Sequence, residues 1–457
     1  MVMLVASWDG VMLTQTKNML RDLGNGLILR RSSSMDADAL ADFCARIHSD
    51  AGYDQPDLYI AAWVRGLLTI PHPTFSPDDF TVVEETSSGR IVSTLNLISQ
   101  TWSYEGIKFG VGRPELVGTL PEFRNRGLIR LQFDEVHKWS EQRGEMVQAI
   151  TGIPFYYRQF GYEMAIDLDG RRYGHEAHMP KLKEGEAEPY RVRPAWETDL
   201  AFIAKTYDEI RKRNMIVCER TPELFRHELD WQGKDHVFSL MFVIEDQTGD
   251  LVGYLKHLSF LSNGSISAYF YELKSDVPWL DVTPSVVRYL WQTGQAYAKR
   301  YGKTHTSFSF ALGEQHPAYD AIKDRLPDVR GSYAWYMRVP DLPGFLNHIK
   351  PVLEKRLAES IATGYSREIK ISFYRTGLRL VIEHGQIKII ESWKPTPKTD
   401  DGDIAFPNLT FLQMVFGHRT YEELHYAFPD CWCESNDARV VLNAMFPKKS
   451  SNIYPVA

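Results

Sequence analysis

The chain has 457 residues, 44 % hydrophobic and 24 % charged, with a formal net charge of −7. That length predicts two to four globular domains of about 100–200 residues each, and the acidic balance argues against a nucleic-acid binder. Four scattered cysteines, Cys44, Cys218, Cys431 and Cys433, exclude a disulfide framework and point to a reducing, cytoplasmic compartment.

No stretch approaches about 20 consecutive apolar residues, so no membrane span is expected. The opening MVMLVASWDG has no basic start and meets Asp9 early, which is unlike a signal peptide. Residues 1–25 are read as an extension packed on the surface or on a partner subunit. Next comes ILRRSSSMDADALADF, a short strand ending in arginine, a loop, and a helix entered near Asp38. Phe80–Leu95, FTVVEETSSGRIVSTL, is an apolar strand, two acids, a turn with glycine and a second strand, the pattern of a β-hairpin. Both signals return downstream, as YRVRPAWETDLAFI with Asp199 at the helix entry and as MFVIEDQTGDLVGYL over Met241–Leu255. Shared order and spacing predict two copies of one α/β unit, 26–180 and 188–338, linked by the charged run KLKEGEAEP. Beyond it the texture changes. Phe345, Ile349, Val352, Leu353 and Leu357 fall near helical spacing, and three short strands and a further helix follow. Residues 339–457 are expected to form a third, α+β domain.

One stretch asks for more than packing. In LVGTLPEFRNRGLIRLQFDEV a strand runs into Arg124-Asn125-Arg126-Gly127 and a helix starts at once. Gly118 inside the strand predicts a bulge or a close backbone approach. Ile129, Phe133, Val136 and Ser140 place an apolar stripe on the helix, and Gly144 ends it. The first N–H groups of a helix have no intrahelical partner and carry the positive end of its dipole. Arginines there are unfavourable unless an anion is bound, so the turn fits a pyrophosphate. The dinucleotide fingerprint does not fit, because GVGRPELVG has the wrong spacing and precedes a strand. His175 and His178 in GHEAH are three apart rather than four, so no metal site is expected, and His137 and His305 read as ordinary surface or core histidines.

Strand, R-N-R-G-L-I, helix, strand MVQAIT and then GIPFYYRQFGYE together resemble the GNAT superfamily of acetyl-CoA-dependent N-acetyltransferases. The resemblance implies a fold in which the strands flanking the turn and helix splay apart and the pantetheine arm lies between them. It implies cofactor contacts at Val117, Gly118, Thr119, Arg124, Asn125, Arg126, Gly127, Leu128, Ile129, Gly152 and Ile153. Ile129 departs from the family pattern, which has glycine or alanine there. The whole order beyond residue 26 resembles the Eis-type acetyltransferases (enhanced intracellular survival), which carry an active GNAT domain, a degenerate one and a sterol-carrier-like domain. In the second copy DVTPSVVRYLWQTGQ enters its helix without an R-x-x-G turn, so it is expected not to bind the cofactor.

Acetyl transfer needs a neutral amine, a polarised thioester carbonyl and a proton for the leaving thiolate. Backbone N–H groups around Val117–Thr119 suit the carbonyl oxygen. A tyrosine hydroxyl, with a pKa of about 10, suits the general acid. Tyr157, four residues before Gly161, aligns with the Eis-type catalytic tyrosine, and Tyr156 is its neighbour. For the base, the resemblance implies the terminal carboxylate, here Ala457. Glu115 is the rival, since several GNAT enzymes place a glutamate on that strand. The Eis-type resemblance suggests as acceptor a primary amine of a cationic substrate, an aminoglycoside-like polyamine or a lysine side chain. The acidic loop SPDDF, Ser76–Phe80, is a candidate attractor. A homo-oligomer is implied. The alternative is a lipid or hydrophobic-ligand carrier built on an inert scaffold.

Overall fold

The computed structural model of the chain describes residues 19–232, 234–396 and 402–454. The first five strands are β1 (Met19–Gly24), β2 (Leu27–Arg31), β3 (Phe80–Glu85), β4 (Arg90–Tyr104) and β5 (Ile107–Thr119). They meander antiparallel. β1 lies within the segment read as an extension and pairs with β2. Helices α1 (Ala37–Ile47) and α2 (Leu58–Thr69) follow β2, and α3 (Leu128–Gln142) joins β5 to β6 (Val147–Ile150). β7 (Glu163–His175) closes the first series.

The second series repeats the plan. β8 (Arg191–Pro194) leads into helices α4 (Leu200–Tyr207) and α5 (Pro222–Trp231), with the short β9 (Ile216–Cys218) between them. Then come β10 (Ser239–Glu245), β11 (Leu251–Leu258), β12 (Ser265–Leu273), helix α6 (Trp279–Tyr301), β13 (Ser307–Ala311) and β14 (Asp328–Arg338). The two hairpins read from sequence are β3–β4 and β10–β11. Their turns place Gly89 and Gly249 at φ 68° and 90°, where a Cβ is disfavoured. β3 is buried along nearly its whole length, and its two buried polar side chains are paired, Thr81 with Gln132 and Glu84 with Arg30.

The same ion triad anchors both helix entries. Arg30 binds Asp36 and Glu84, and Arg193 binds Asp199 and Glu245. The acid that answers Asp199 is therefore Asp36, two residues before the Asp38 marked from sequence.

The strands join one sheet in the order β1-β2-β3-β4-β5-β6-β14-β7-β13-β12-β11-β10-β8, with β9 on β4. This order contains an exchange. β14, from the second series, lies antiparallel between β6 and β7, and β7, from the first, lies between β14 and β13.

Residues beyond 338 form a four-stranded sheet, β15 (Arg367–Ser372), β16 (Gly377–Glu383), β17 (Gln386–Trp393) and β18 (Ile404–Ala405), with helices around it. The helical stripe expected over Phe345–Leu357 is two helices, Leu342–His348 and Lys350–Ala358. Pro351 has no N–H to donate, so it sits in the first turn of the second helix instead of continuing the first. One apolar core runs from Trp102, Val111 and Trp335 in the large sheet to Phe345, Ile371 and Leu442 here. Among the described residues no helix is long and apolar enough to cross a membrane, and no metal-binding cluster of histidine, cysteine or carboxylate groups occurs.

Candidate active site

β5 and β6 run parallel but pair only at Val111–Val147 and Gly112–Gln148. Beyond that point β5 follows β4 and β6 follows β14, so the two strands diverge and open a cleft. On its β5 wall the register slips between Asn96–Glu115 and Thr94–Gly118. This is a β-bulge, and Leu116 takes a left-handed φ of 54° within it. Such a conformation costs a non-glycine residue about 1–3 kcal/mol and turns its amide out of the ladder. Both readings of Gly118 hold. It closes the bulge, and a Cβ there would lie 2.9 Å from Ile47 Cγ2 and 3.1 Å from Phe43 Cε1 of α1.

The turn after β5 ends in Gly127, the left-handed N-cap of α3 (φ 75°), with Asn125 also left-handed at φ 61°. No side chain caps this helix. Among the described residues the backbone N–H groups from Asn125 to Arg130 have no protein acceptor. Arg124 and Arg126 are exposed, with Arg124 Nε 3.3 Å from the Thr119 carbonyl and Arg126 held over the Phe123 ring. The helix is fixed beneath by a residue the apolar stripe did not include: buried Gln132 donates to Ser93 Oγ (2.7 Å) and accepts from Thr81 Oγ1 (2.9 Å). The result is a set of free amides, a helix dipole and two guanidinium groups, which fits a diphosphate.

Val117, Gly118, Thr119, the run Arg124–Ile129, Gly152 and Ile153 all line this one cleft of about 770 Å³, as do Tyr156, Tyr157 and Glu115. Ile129, the departure from the small-residue pattern, is half-buried against the cluster of Phe133 and Tyr157. Tyr157 is 4 % exposed. Burial first, and then the charge of Glu115, push its phenol well above the usual range. It stays protonated at neutral pH, as a general acid must. Tyr156 is raised by burial as well, but it is more exposed and faces Arg130. Two residues of the exchanged strand hold the intervening loop. Tyr333 Oη donates to the Gly152 carbonyl (2.9 Å), and the Phe155 N–H donates to Tyr336 Oη. No local sequence signal marked Tyr333 or Tyr336, because the strand that carries them belongs to the other series.

A second chamber of about 270 Å³ opens on the far side of the splayed strands. α2 supplies Tyr59 and Trp63, the second series supplies Trp231, Phe238 and Tyr269, and the C-terminal segment supplies Tyr454, which stacks on Tyr269 at 3.9 Å. Glu115 and Thr151 line both chambers. Arg113, 1 % exposed, holds Glu115 in an ion pair. Ala457 lies outside the described residues; Tyr454 is three positions before it.

Three features expected from sequence have ordinary structural surroundings. The acids of the 76–80 loop are paired, Asp78 with Arg31 and Asp79 with Arg143. Burial and the charge of Arg338 push His137 down to about 3, and burial lowers His305. In the second series, β12 and β13 pair in parallel over four successive residues, Ser265–Ser307 to Ala268–Phe310, where β5 and β6 pair over two. Trp279 packs edge-on against both Tyr271 and His316 at the start of α6.

Comparison with known proteins agrees with this geometry. Residues 47–165 match the family described as Acetyltransferase (GNAT) domain. The chain takes the GNAT fold over most of its length. It is similar to a GCN5-related N-acetyltransferase from Kribbella flavida, with 17 % identity, a TM-score of 0.61, and 93 % of this chain and 97 % of that one covered. It is similar to a probable N-acyltransferase from Enterococcus faecalis, with 12 % identity, a TM-score of 0.63, and 94 % and 100 % covered. It is also similar to the Eis protein of Mycobacterium abscessus, with 15 % identity, a TM-score of 0.54, and 93 % and 98 % covered. No curated protein matches the chain.

Proposed function

We propose that the protein is an N-acetyltransferase that moves the acetyl group of acetyl-CoA to the primary amine of a cationic substrate. The observation that carries this reading is that Glu115 and Thr151 line both the cleft with the anion-ready turn and the aromatic chamber. Acetyl-CoA enters one side and the amine the other, and they meet between the splayed strands. The turn amides and Arg124 hold the diphosphate. The N–H groups of the bulge around Val117–Thr119 receive the thioester oxygen. The amine nitrogen forms a bond to the thioester carbon and the carbon–sulfur bond breaks. Tyr157 gives its phenolic proton to the leaving sulfur, and a carboxylate takes a proton from the nitrogen. Glu115 is the described carboxylate at that junction, and the Ala457 terminus is the rival.

The same reading takes 188–338 as a degenerate GNAT unit, 339–457 as a sterol-carrier-like domain and the molecule as a homo-oligomer. Two observations support loss of cofactor binding in the second unit: the parallel pairing of β12 with β13, and Trp279 packed at its helix entry. The test is a panel of amines assayed with acetyl-CoA by release of free thiol, alongside calorimetric binding of acetyl-CoA. Turnover of an amine together with acetyl-CoA binding supports the reading. A chain that neither binds acetyl-CoA nor consumes it, but takes up a fatty-acid probe, is a carrier instead.

A further inference from the structure

Three wholly buried polar side chains, Thr81 of β3, Ser93 of β4 and Gln132 of α3, form one hydrogen-bonded chain beneath the turn. Gln132 Nε2 donates to Ser93 Oγ at 2.7 Å and to the Leu128 carbonyl at 3.3 Å. A carbonyl only accepts, so Leu128 fixes which way the amide faces. Gln132 Oε1 accepts from Thr81 Oγ1, whose proton is shared with the Leu95 carbonyl. Ser93 Oγ has one proton, and the Gly118 carbonyl at 2.9 Å takes it. The Thr119 hydroxyl, 2.7 Å from Ser93 Oγ, is then a donor to it. One oxygen atom thus ties the first turns of α3 to the two residues that end the bulged strand.

The second series closes the same contact without any of these groups. Register fixes the correspondence. Val82 stands opposite Arg30 as Val243 stands opposite Arg193, and Ser93 opposite Val83 as Gly253 opposite Ile244. On the next strand Ser93 is opposite Thr119, and Gly253 is opposite Leu273. Thr81, Ser93 and Thr119 therefore occupy the places of Phe242, Gly253 and Leu273. Phe242 and Leu273 belong to the apolar core of their series, and a Cβ on Gly253 would fall against Leu273. Apolar packing is sufficient for this part of the fold. Buried hydroxyl and amide groups are costly unless each finds a partner, and they are present in the series that carries the anion-ready turn.

We propose that Thr81, Ser93 and Gln132 are positioning residues for acetyl transfer, locking the bulge of β5 to the start of α3. Acetyl-CoA held by its diphosphate on the turn then presents its thioester to the bulge amides at a fixed distance. This deepens the acetyltransferase reading and rests on it. None of the three residues lines the cleft, so they act through the backbone they hold. A peptide group is a rigid plane, so fixing the Gly118 carbonyl also sets the direction of the Thr119 N–H. That N–H is among those proposed to receive the thioester oxygen, and such a donor works only when pre-aimed. A misplacement of about 1 Å caused far from the chemistry can cost about a hundredfold in rate.

The experiment uses the full chain and the variants Gln132→Met, Ser93→Ala and Thr81→Val, which remove hydrogen bonds at nearly constant shape. Thr81→Ser, which keeps the hydroxyl and loses a methyl, is the control. Each is measured for kcat with the most active amine of the panel, for acetyl-CoA affinity by calorimetry, and for thermal melting. Gln132→Met and Ser93→Ala should lower kcat at least tenfold, with acetyl-CoA affinity changed less than threefold. Thr81→Val should lower kcat at least threefold, and Thr81→Ser should stay within twofold of the parent. The double variant Ser93→Ala/Gln132→Met should fall no more than threefold below the worse single, because either change breaks the same tie. Variants that melt earlier but keep the parent kcat overturn the inference and leave the acetyltransferase reading standing. The same holds if kcat and affinity fall together, if Thr81→Ser is as damaging as Thr81→Val, or if the losses in the double variant simply multiply. Where one variant does not fold, the others decide; if none of the three folds, the network serves the fold and the inference falls. A parent that turns over no amine fails the acetyltransferase reading, and the inference with it.

Discussion

The hydroxyl of Tyr157 lies 3.3 Å from the point where a Cβ on Gly152 would stand, and Gly152 sits at φ 127°. A side chain at 152 is therefore strained in its own backbone and crowds the proposed acid. Gly152→Ala should lower stability by about 1–3 kcal/mol and reduce turnover more than acetyl-CoA affinity. Thermal melting and steady-state kinetics on the same preparation check both parts.

Tyr157→Phe removes the proton donor and little else, since the ring stays packed beside Phe133 and Tyr336. Turnover should fall more than tenfold, with acetyl-CoA affinity changed less than twofold. The pH profile gives the sign. A general acid works below its pKa, and the Tyr157 phenol is raised by burial and by Glu115. Its ionisation should produce no loss of kcat as pH rises toward about 10, the ordinary phenol value.

The base is assigned by contrast. Glu115→Gln keeps the shape of the side chain beside Arg113 but cannot take a proton. Removal of Pro455–Ala457 moves the terminal carboxylate. If Glu115 is the base, Glu115→Gln should lower kcat at least a hundredfold, within the usual range for losing a general base, and truncation should cost much less. The reverse order assigns the terminus.

Gly127→Ala tests the turn. No atom lies within 4 Å of an added Cβ, so the effect is backbone strain alone at φ 75°. The left-handed penalty of about 1 kcal/mol should appear as a lower melting temperature, and as weaker acetyl-CoA binding to the extent that the turn relaxes and turns its amides away. Arg124→Ala should weaken binding further, and more so at low salt than at high, because the guanidinium is exposed and its attraction is screened.

Stability should follow the Arg220–Glu228–Lys256 cluster. Arg220 and Lys256 outweigh the cost of burial and bring Glu228 down to about 2. An unfolded glutamate titrates near 4.3, so between those values the unfolded chain binds more protons. The stabilisation is full above about pH 4.3 and is lost as pH falls toward 2. Glu228→Gln leaves two buried cations without a counter-charge and should cost about 3–5 kcal/mol. Acid and thermal melts of parent and variant measure both effects.

Much of the fold was written locally. The two hairpins show as apolar runs broken at Gly89 and Gly249, and α3 as a stripe ended at Gly144, whose φ is 69°. The cleft beside the turn was legible too, because a turn, a bulge and a helix start are contiguous in the chain. The aromatic chamber was not. Trp63, Lys256 and Tyr454 come from distant segments, and nothing in their own neighbourhoods shows that they share a chamber. The exchange of β7 and β14 was equally hidden, since either strand reads the same whichever series it joins. Asp36 was missed for Asp38 because both stand at a helix entry, and only the reach of Arg30 distinguishes them.

The crossed-over strand makes the two series depend on each other. Tyr333 and Tyr336 brace the loop beside Tyr157 from a segment that lacks the phosphate turn. A chain cut short of Tyr333 would leave that loop without either hydroxyl, so the first series cannot hold its cleft in this shape by itself.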